Sequence, residues 1–550
     1  SIDLPTDRPT ERTPDRRIIR FRRMKMASSA ATVRVSASLS TTDPSQAPVI
    51  IIGPPRHISK LTFEQVACKL QPKVTAEIFK AAQEALTPSG SDSIPLYLNQ
   101  ATIAQLPSKC SRHNTPTQAH AITKAVFKHT SGSDESIVIV CEKRDVFASA
   151  CAVARAFPLY SRKSGDSLTD GERAPKGERT ISIEFLLVGD SETTLSADDI
   201  SALEAAIEGV RMAARIVDTP CEEMNVDAFL AEVERVGQAL GIKPHVIRGE
   251  ELVKKGLGGI WSVGKAAASL PALAVLSHQP PGATETVAWV GKGIVYDTGG
   301  LSLKARLGMV GMKRDCGGAA GILGAFSTMV KCGFKENLHA VFCLAENAIG
   351  PLATRPDDVV QMYSGKTVEV NNTDAEGRMV LSDGVVYAQK DLGAKIILDM
   401  ATLTGAQGMA TGKYHGALLT NSSKWEQASM VAGKLSGDLV FPIPFSPELH
   451  FKEFSSTVAD MKNSVADRGN AQSSCGGLFI MSHLGFDFEG EWIHVDMASP
   501  VYYGERASGY GVALLSAMFA DYSQNAAIKA LTPFTSTNTE ESDKKGIKTV

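Results

Sequence analysis

The sequence predicts an α/β protein built in two parts, with a long helix between them. Three observations carry this reading. From about residue 48 to about 522, apolar runs of strand length alternate with runs of helical period, the pattern of largely parallel strands covered by helices on both faces. Residues 196–218 carry one unbroken apolar stripe at spacings of three and four, which only a helix presents on one face. The chain has 550 residues, 43% of them apolar, which is enough for about two to four domains and a large core.

Composition excludes several classes of function. A net charge of -3 gives no global basic field for nucleic acid or an anionic membrane. No run of 18 apolar residues occurs, so no transmembrane helix is expected. The nine cysteines form no C-x-x-C pair, and several lie inside apolar runs such as Val341-Phe342-Cys343-Leu344. That usage predicts reduced, mostly buried thiols in an intracellular protein.

In order, residues 1–26 are rich in Arg and Pro and lack the apolar stretch of a secretory signal. Their arginines suggest a transit peptide, but Asp3, Asp7, Glu11 and Asp15 argue against one. Translation is expected to start near Met24 or Met26, with residues 1–47 disordered. Residues 48–195 read as an α/β domain, with strands at 48–53, 136–141 and 181–188 and a helix from Val146 to Ala156. A loop rich in Gly, Ser, Lys and Arg, 161–176, interrupts it. No catalytic cluster is visible there.

Residues 196–218 are the connecting helix. Ser196-x-x-Asp199 forms a capping box at its start, and Asp218-Thr219-Pro220 ends it. Residues 219–522 read as a second α/β domain. Its strands are expected at 244–248, 272–276, 286–291, 338–344, 367–370, 395–400 and 492–496. Its helices are expected at 226–240, 318–331, 379–390 and 509–522. Residues 523–550 are polar and are expected to form a loose tail.

Three stretches of the second domain can carry chemistry. Asn372-Thr373-Asp374-Ala375-Glu376-Gly377-Arg378 places two carboxylates and a guanidinium between a strand and a helix, where ligands bind in open α/β sheets. The run from Val290 to Lys304 holds Lys292, Asp297 and Lys304 among four glycines. Met312-Lys313-Arg314-Asp315-Cys316 sets an aspartate just before a helix. Each has a simpler reading alone: a solvated acidic turn, a glycine-rich turn with solvated lysines, and a helix N-cap. Together, Asp297, Asp315, Asp374 and Glu376 would meet at one edge of a parallel sheet. Uncompensated, four carboxylates there would repel strongly. Two divalent cations resolve the repulsion and make a bridging water nucleophilic near neutral pH. Oxygen ligands suit Mg²⁺, Mn²⁺ or Zn²⁺. Lys292 or Lys304 could serve as an amine ligand or as a positive group facing a developing oxyanion. Competing motifs fail: there is no H-E-x-x-H, no G-x-S-x-G and no G-x-G-x-x-G after a strand. Gly259–Ala266 misses the P-loop because Ala266 stands where Ser or Thr is needed. The polar group Asp460-Met461-Lys462-Asn463 has no independent reading.

These stretches resemble the leucyl aminopeptidase family of dinuclear-zinc exopeptidases, peptidase family M17. N-T-D-A-E-G-R is similar to that family's signature, and the Lys292, Asp297, Lys304, Asp315 spacing matches it too. Asp399-Met-Ala-Thr-Leu-Thr-Gly405, Ala459-Asp-Met-Lys-Asn463 and Trp492-Ile-His-Val-Asp496 are further matches. The resemblance covers roughly residues 205–520. It is greatest to an animal branch described as aminopeptidase-like, through Cys316, Lys313-Arg314 and Phe147-Ala-Ser-Ala-Cys-Ala152.

The resemblance implies an N-terminal domain like macro domains and a C-terminal α/β/α catalytic domain with a mixed, mainly parallel sheet. It implies two divalent ions per subunit, Zn²⁺ with one site exchangeable for Mn²⁺ or Mg²⁺. Lys292, Asp297, Asp315 and Glu376 would bind the exchangeable ion, and Asp297, Asp374 and Glu376 the other. Lys304 would stabilise the oxyanion, and Arg378 would hold a bicarbonate acting as general base. Met312, Thr402, Leu403, Gly405 and Ala498 would line the substrate site. Ser499-Pro500-Val501 departs from the family's usual glycine and larger apolar residue, which puts a preference for leucine in question. Peptides with a free N-terminus, a homohexamer and a cytoplasmic location are expected, with no membrane or nucleic-acid partner. A metal-binding regulatory or nucleic-acid-binding protein, and a two-metal hydrolase of another bond, remain as alternatives.

Overall fold

The computed structural model describes residues 31–87, 92–163, 178–189 and 194–534. Six strands form the smaller sheet: β1 (Thr32–Ser36), β2 (Val49–Gly53), β3 (Asp92–Tyr97), β4 (Ala101–Gln105), β5 (Glu135–Cys141) and β6 (Thr180–Leu187). Their order is β1-β6-β5-β2-β4-β3, parallel except where β3 meets β4. β2 and β5 are buried at every position, as strands covered on both faces must be. Val49, Ile51, Val138 and Val140 pack on one face with Val66, Leu70 and Phe79 of the helices Phe63–Leu70 and Ala76–Ala85. Ile50, Ile52, Ile137 and Ile139 point the other way and share a cluster with the helices Ala119–His129, Val146–Arg155 and Ala197–Asp218.

The helix Ala197–Asp218 joins the two parts and is itself core. Its capping box is formed: Asp199 N–H donates to Ser196 Oγ at 3.1 Å, and Ser196 N–H to Asp199 Oδ2 at 2.8 Å. It lies against the helix Gly317–Lys331 so closely that a Cβ on Gly209 would fall 2.6 Å from Thr328 Oγ1 and 2.8 Å from Gly324 O. Glycine at both crossing positions is what permits that approach. One apolar cluster therefore runs from the smaller sheet through this helix into the larger one.

The larger part supplies β7 (His245–Arg248), β8 (Ala272–His278), β9 (Thr286–Asp297), β10 (Asn337–Asn347), β11 (Val359–Gln361), β12 (Thr367–Glu369), β13 (Ile396–Ala401), β14 (Gly416–Thr420), β15 (Val440–Pro442), β16 (Met461–Lys462) and β17 (Glu491–Asp496). Eight of them form one sheet in the order β15-β14-β17-β13-β9-β10-β8-β7, and β11, β12 and β16 form a small sheet beside it. At the centre, β17, β13, β9 and β10 are mutually parallel. The helices Gly317–Lys331 and Val512–Met518 cover one face. Gly258–Gly264, Gly377–Lys390 and Gln472–Leu484 cover the other. The fold is thus the α/β arrangement expected, with a mixed sheet whose core is parallel.

Some expectations need correction. Disorder over 1–47 fails for its last part, because β1 pairs with β6 from Thr32↔Thr180 to Ser36↔Glu184. Serine-rich flanks hid the alternation of Val33 and Val35. Residues 1–30 lie outside the described residues. The loose tail after 522 is corrected through Phe534: Ala526–Lys529 is a helix, and Ile528 and Leu531 are buried in the main cluster. Residues 535–550, and 164–176 of the expected loop, lie outside the described residues. β9 runs on to Asp297 through Gly291 and Gly293, because β10 pairs with it from Thr286 to Asp297, while the pairing with β13 stops at Gly291. The expected helix 509–522 shrinks to Val512–Met518, since Gly509 and Gly511 have positive φ, 65° and 100°. Among the described residues no helix is long and apolar enough to cross a membrane.

Glu184 interrupts the apolar β6 and is fully buried with Lys69. Lys69 Nζ lies 2.6 Å from Glu184 Oε1 and donates to Ser40 Oγ at 2.7 Å and Ser136 Oγ at 3.2 Å. Removing one partner strands a buried charge. Lys69→Ala is therefore expected to destabilise the smaller sheet by about 3–5 kcal/mol, while Lys69→Met with Glu184→Leu costs far less. Hydrogen exchange of the β5 and β6 amides checks this. Equal exchange in both variants would refute it.

Candidate active site

The four central strands end at one edge, and the chemistry-bearing residues leave from there. β9 ends on Asp297 and β10 on Asn347, which pair across a one-residue shift in the register. β13 ends on Ala401, opposite Asp496 at the end of β17. Thr402 and Leu403 follow β13, and Ala498 follows β17. Asp374 and Glu376 arrive from the side: the chain leaves β12 at Glu369, turns through 371–375, and enters the helix Gly377–Lys390 with Glu376 at its N-cap position. Asp315 follows a 3-10 turn, Met312–Arg314. It is not the N-cap of the next helix. Cys316 holds that position, and the Asp315 carboxylate turns to the site instead.

Two lysines collect the four carboxylates. Lys292 Nζ lies 2.9 Å from Asp315 Oδ1 and 2.9 Å from Glu376 Oε1, and donates to Thr402 O at 2.9 Å. Lys304 Nζ lies 2.8 Å from Asp297 Oδ2 and pairs with Asp374 Oδ1. Neutral donors fix the rest. Asp297 Oδ1 accepts from Gly299 N–H at 2.8 Å and Asn347 Nδ2 at 2.9 Å. Asn347 Nδ2 also reaches Thr373 O at 3.0 Å. Thr402 Oγ1 donates to Asp315 Oδ1 at 2.7 Å. Room for Lys292 comes from Gly377, where a Cβ would fall 2.7 Å from Lys292 Cε and 2.8 Å from its Nζ.

Burial and mutual repulsion strain these charges. Burial pushes the Asp315 carboxyl well above its usual range; Lys292 pulls it down, and Asp297 and Glu376 push it further up. Burial and then Asp297 raise both Asp374 and Glu376. For Lys292, burial works against the ammonium, but Asp315, Glu376 and Asp297 outweigh it and hold it above its ordinary value. Lys304 behaves the same way, with Asp297 and Glu376 outweighing burial.

The donor set fits divalent cations. Carboxylate oxygens of Asp297, Asp374 and Glu376 lie within 4.8 Å of one another. Asp315 Oδ2 is buried with no hydrogen-bond partner among the described residues. The two ammonium groups also leave the four carboxylates two positive charges short. All of these ligands are oxygen or amine donors, and the cluster contains no thiolate.

Residues 211–516 match the catalytic domain of the cytosol aminopeptidase family, and residues 47–166 match N-terminal domain 2 of the M17 aminopeptidases. The chain belongs to peptidase family M17. It is 59% identical over 502 residues to "Probable aminopeptidase NPEPL1" of Mus musculus, covering 91% of this chain and 95% of that one. It is 43% identical over 480 residues to leucine aminopeptidase 1 of Caenorhabditis elegans, covering 86% and 94%. The solved structure of the Caenorhabditis elegans leucine aminopeptidase superposes with a TM-score of 0.83 at 41% identity, over 90% of this chain and all (100%) of that one. This M17 chain is thus an enzyme of the aminopeptidase class.

The remaining expected residues lie on the turns and helix starts next to these carboxylates in sequence or at the neighbouring strand ends. Arg378, one residue into its helix, is buried; its Nη1 donates to Asn463 O at 3.1 Å and its Nε has no hydrogen-bond partner among the described residues. Burial pulls its guanidinium below the ordinary value. Leu403 and Ala498 are tied together through Asp496, whose Oδ1 accepts from Leu403 N–H at 3.0 Å and Ala498 N–H at 3.3 Å. Met312 shares the turn that ends in Asp315, its carbonyl accepting from Asp315 N–H at 3.2 Å. Gly405 is exposed at the start of the helix Gly405–Ala410, with open space where a Cβ would stand. Beside Ala498, Ser499 Oγ lies 2.5 Å from where a Cβ on Gly408 would be.

Sequence reasoning missed Asn347, Thr373, Asn463 and Asp496 as parts of the site. Thr373 Oγ1 accepts from Ser302 N–H at 2.7 Å, and Ser302 Oγ accepts from Thr373 N–H at 3.1 Å, which locks the Asp374 loop to the Asp297 loop. A signal existed for two of them. Asn347 and Asp496 are polar residues closing otherwise apolar strands at the edge where Asp297 also sits.

Gly377→Ala is expected to displace Lys292 from Asp315 and Glu376 and to lower turnover of leucine-p-nitroanilide about 10–100-fold, as loss of a supporting contact at a metal site does. Kinetics alongside near-UV circular dichroism check this. Wild-type turnover in a folded variant would show that the Lys292 position is not needed.

Proposed function

We propose that this enzyme is a metal-dependent aminopeptidase that removes one apolar residue at a time from the free N-terminus of peptides. The observation that carries the reading is the charge-deficient cluster of buried Asp297, Asp315 and Glu376 with half-buried Asp374 at the edge of the parallel strands. Asp297, Asp315, Glu376 and Lys292 would hold one divalent cation, and Asp297, Asp374 and Glu376 a second. Zn²⁺ fits this donor set, with Mn²⁺ or Mg²⁺ as an exchange partner at the first position. When bound, the cations would supply a Lewis acid for the scissile carbonyl and a water acidic enough to attack near neutral pH.

The chain's own groups do the rest. Lys304 is the less buried of the two lysines, so its ammonium can face the oxyanion that develops on the carbonyl oxygen. Arg378 has a buried Nε without a partner, which suits it to hold a bicarbonate that would take the proton of the attacking water. Thr402, Leu403, Gly405, Met312 and Ala498 would line the pocket for the first side chain. The acidic centre favours a free α-amine. An acetylated amine has given its lone pair to resonance and offers neither charge nor donor. By analogy with the family, the working form is a cytoplasmic homohexamer.

Three outcomes are expected with full-length protein. Chelator should abolish release from leucine- and methionine-p-nitroanilide, and Zn²⁺ or Mn²⁺ should restore it. Glu376→Ala should remove activity, and Lys304→Ala should cost about 10²–10³-fold in kcat with little change in KM. N-acetyl-leucine-p-nitroanilide should not be cleaved. Efficient turnover of the acetylated substrate, or full activity after metal removal, would sink the reading.

A further inference from the structure

The polar group Asp460-Met461-Lys462-Asn463 lies nearly a hundred residues beyond the acidic loop in sequence, yet the fold seats it against that loop. Asp460 anchors its start: Oδ2 accepts from Thr367 N–H at 2.7 Å and from Thr367 Oγ1 at 3.0 Å. β16 then runs parallel to β12, with Val368↔Met461 and Glu369↔Lys462 in register. Asn463 N–H completes the ladder by donating to Glu369 O at 3.1 Å. Here β12 ends and the chain turns into the loop that carries Asp374 and Glu376. The ladder stops, and the loop's peptide groups lose their strand partner.

The Asn463 side chain supplies that partner. Its Oδ1 accepts from Asn371 N–H at 3.0 Å and Asn372 N–H at 3.2 Å. Its Nδ2 donates to Asn372 O at 2.7 Å and Ala375 O at 3.3 Å. Both lone pairs and both protons of the amide are used on one loop, and no other side-chain group of this size offers two of each. The main-chain carbonyl of Asn463 accepts from Arg378 Nη1 at 3.1 Å. Asn463 is buried, so water does not substitute for these bonds. One residue therefore grips the backbone on both sides of Asp374 and also holds Arg378.

We propose that Asn463 is a positioning residue for the reaction: its side-chain amide fixes the directions of Asp374 and Glu376, and its carbonyl fixes Arg378. The proposal rests on the two-cation reading above and adds to it a residue that touches neither cation nor substrate. Asn463→Asp keeps the two acceptor contacts but sets a carboxylate oxygen against the carbonyls of Asn372 and Ala375, reversing two hydrogen bonds into repulsions. Asn463→Ala removes all four contacts.

The test compares wild type, Asn463→Asp, Asn463→Ala and Met461→Ala, all full length. Met461 is buried on the same short strand and faces the apolar cluster rather than the loop, so its truncation reports loss of stability alone. Equilibrium dialysis of Mn²⁺ against metal-stripped protein and kinetics on leucine-p-nitroanilide are measured with the thermal midpoint. Both Asn463 variants are expected to bind Mn²⁺ about 10–100-fold more weakly. Their kcat should fall by a similar factor with KM within about threefold. Met461→Ala should lower the midpoint and leave Mn²⁺ affinity and kcat near wild type. The proposal is overturned if the Asn463 variants bind and turn over as wild type does. It is also overturned if Met461→Ala loses as much, or if neither Asn463 variant folds. Wild-type protein that binds Mn²⁺ without cleaving the anilide would refute the peptidase reading alone, with the dialysis comparison still deciding Asn463.

Discussion

Everything at this site follows from keeping four carboxylates close together in a place nearly free of water. Asp297, Asp315 and Glu376 are buried, and Asp374 is only partly open. Such a group is costly unless positive charge stands among it. Lys292 and Lys304 supply part of that charge, each bridging two carboxylates. They do not balance the cluster, and the remaining deficit is what the proposed cations would offset. Lys304 is the more exposed of the two lysines.

A strained cluster of charges needs a scaffold that does not give way, and the fold provides it with neutral groups. Four parallel strands end together, so side chains far apart in sequence start from one line. Asn347 and Thr373 tie the Asp297 loop to the Asp374 loop, and Asp496 ties Leu403 to Ala498. Asn463 holds the acidic loop and Arg378 at once. Glycine at 377 leaves the volume that the Lys292 side chain fills. Hydrogen bonds from neutral partners orient the carboxylates without adding to the charge imbalance, which leaves that imbalance available for ligand binding.

The stability of the whole is distributed differently. The smaller sheet, the helix Ala197–Asp218 and one face of the larger sheet share a single apolar cluster. The acidic centre sits at the strand ends, beyond that cluster, on the edge of the larger sheet. Packing thus sets the strand ends in place, and polar contacts then aim the side chains from them.

The acidic loop, the lysine-and-glycine stretch and Asp315 were legible in the sequence because unusual residues stand there in short, glycine-rich runs between elements of clear period. The central strands and the helices Gly317–Lys331 and Gly377–Lys390 were legible for the same reason, while β14, β15 and the helices Gly258–Gly264 and Gln472–Leu484 were not anticipated; family resemblance supplied the assignment of roles. What the sequence hid were features set by partners distant along the chain. β1 is a strand because β6 lies beside it, and β9 continues through two glycines because β10 pairs with it on to Asp297. Asp315 could have been a helix cap. Only the position of Lys292 and Thr402 shows its carboxylate turned into the site. Asn463 stood in a run that matched the family, but its role was not readable, since an amide among polar residues looks like surface until the strand that ends opposite it is known. Composition and local period determined which elements form and where charge concentrates. Tertiary structure alone decided which neutral side chains complete unfinished backbone, because hydrogen bonds between distant segments leave no periodic trace in either.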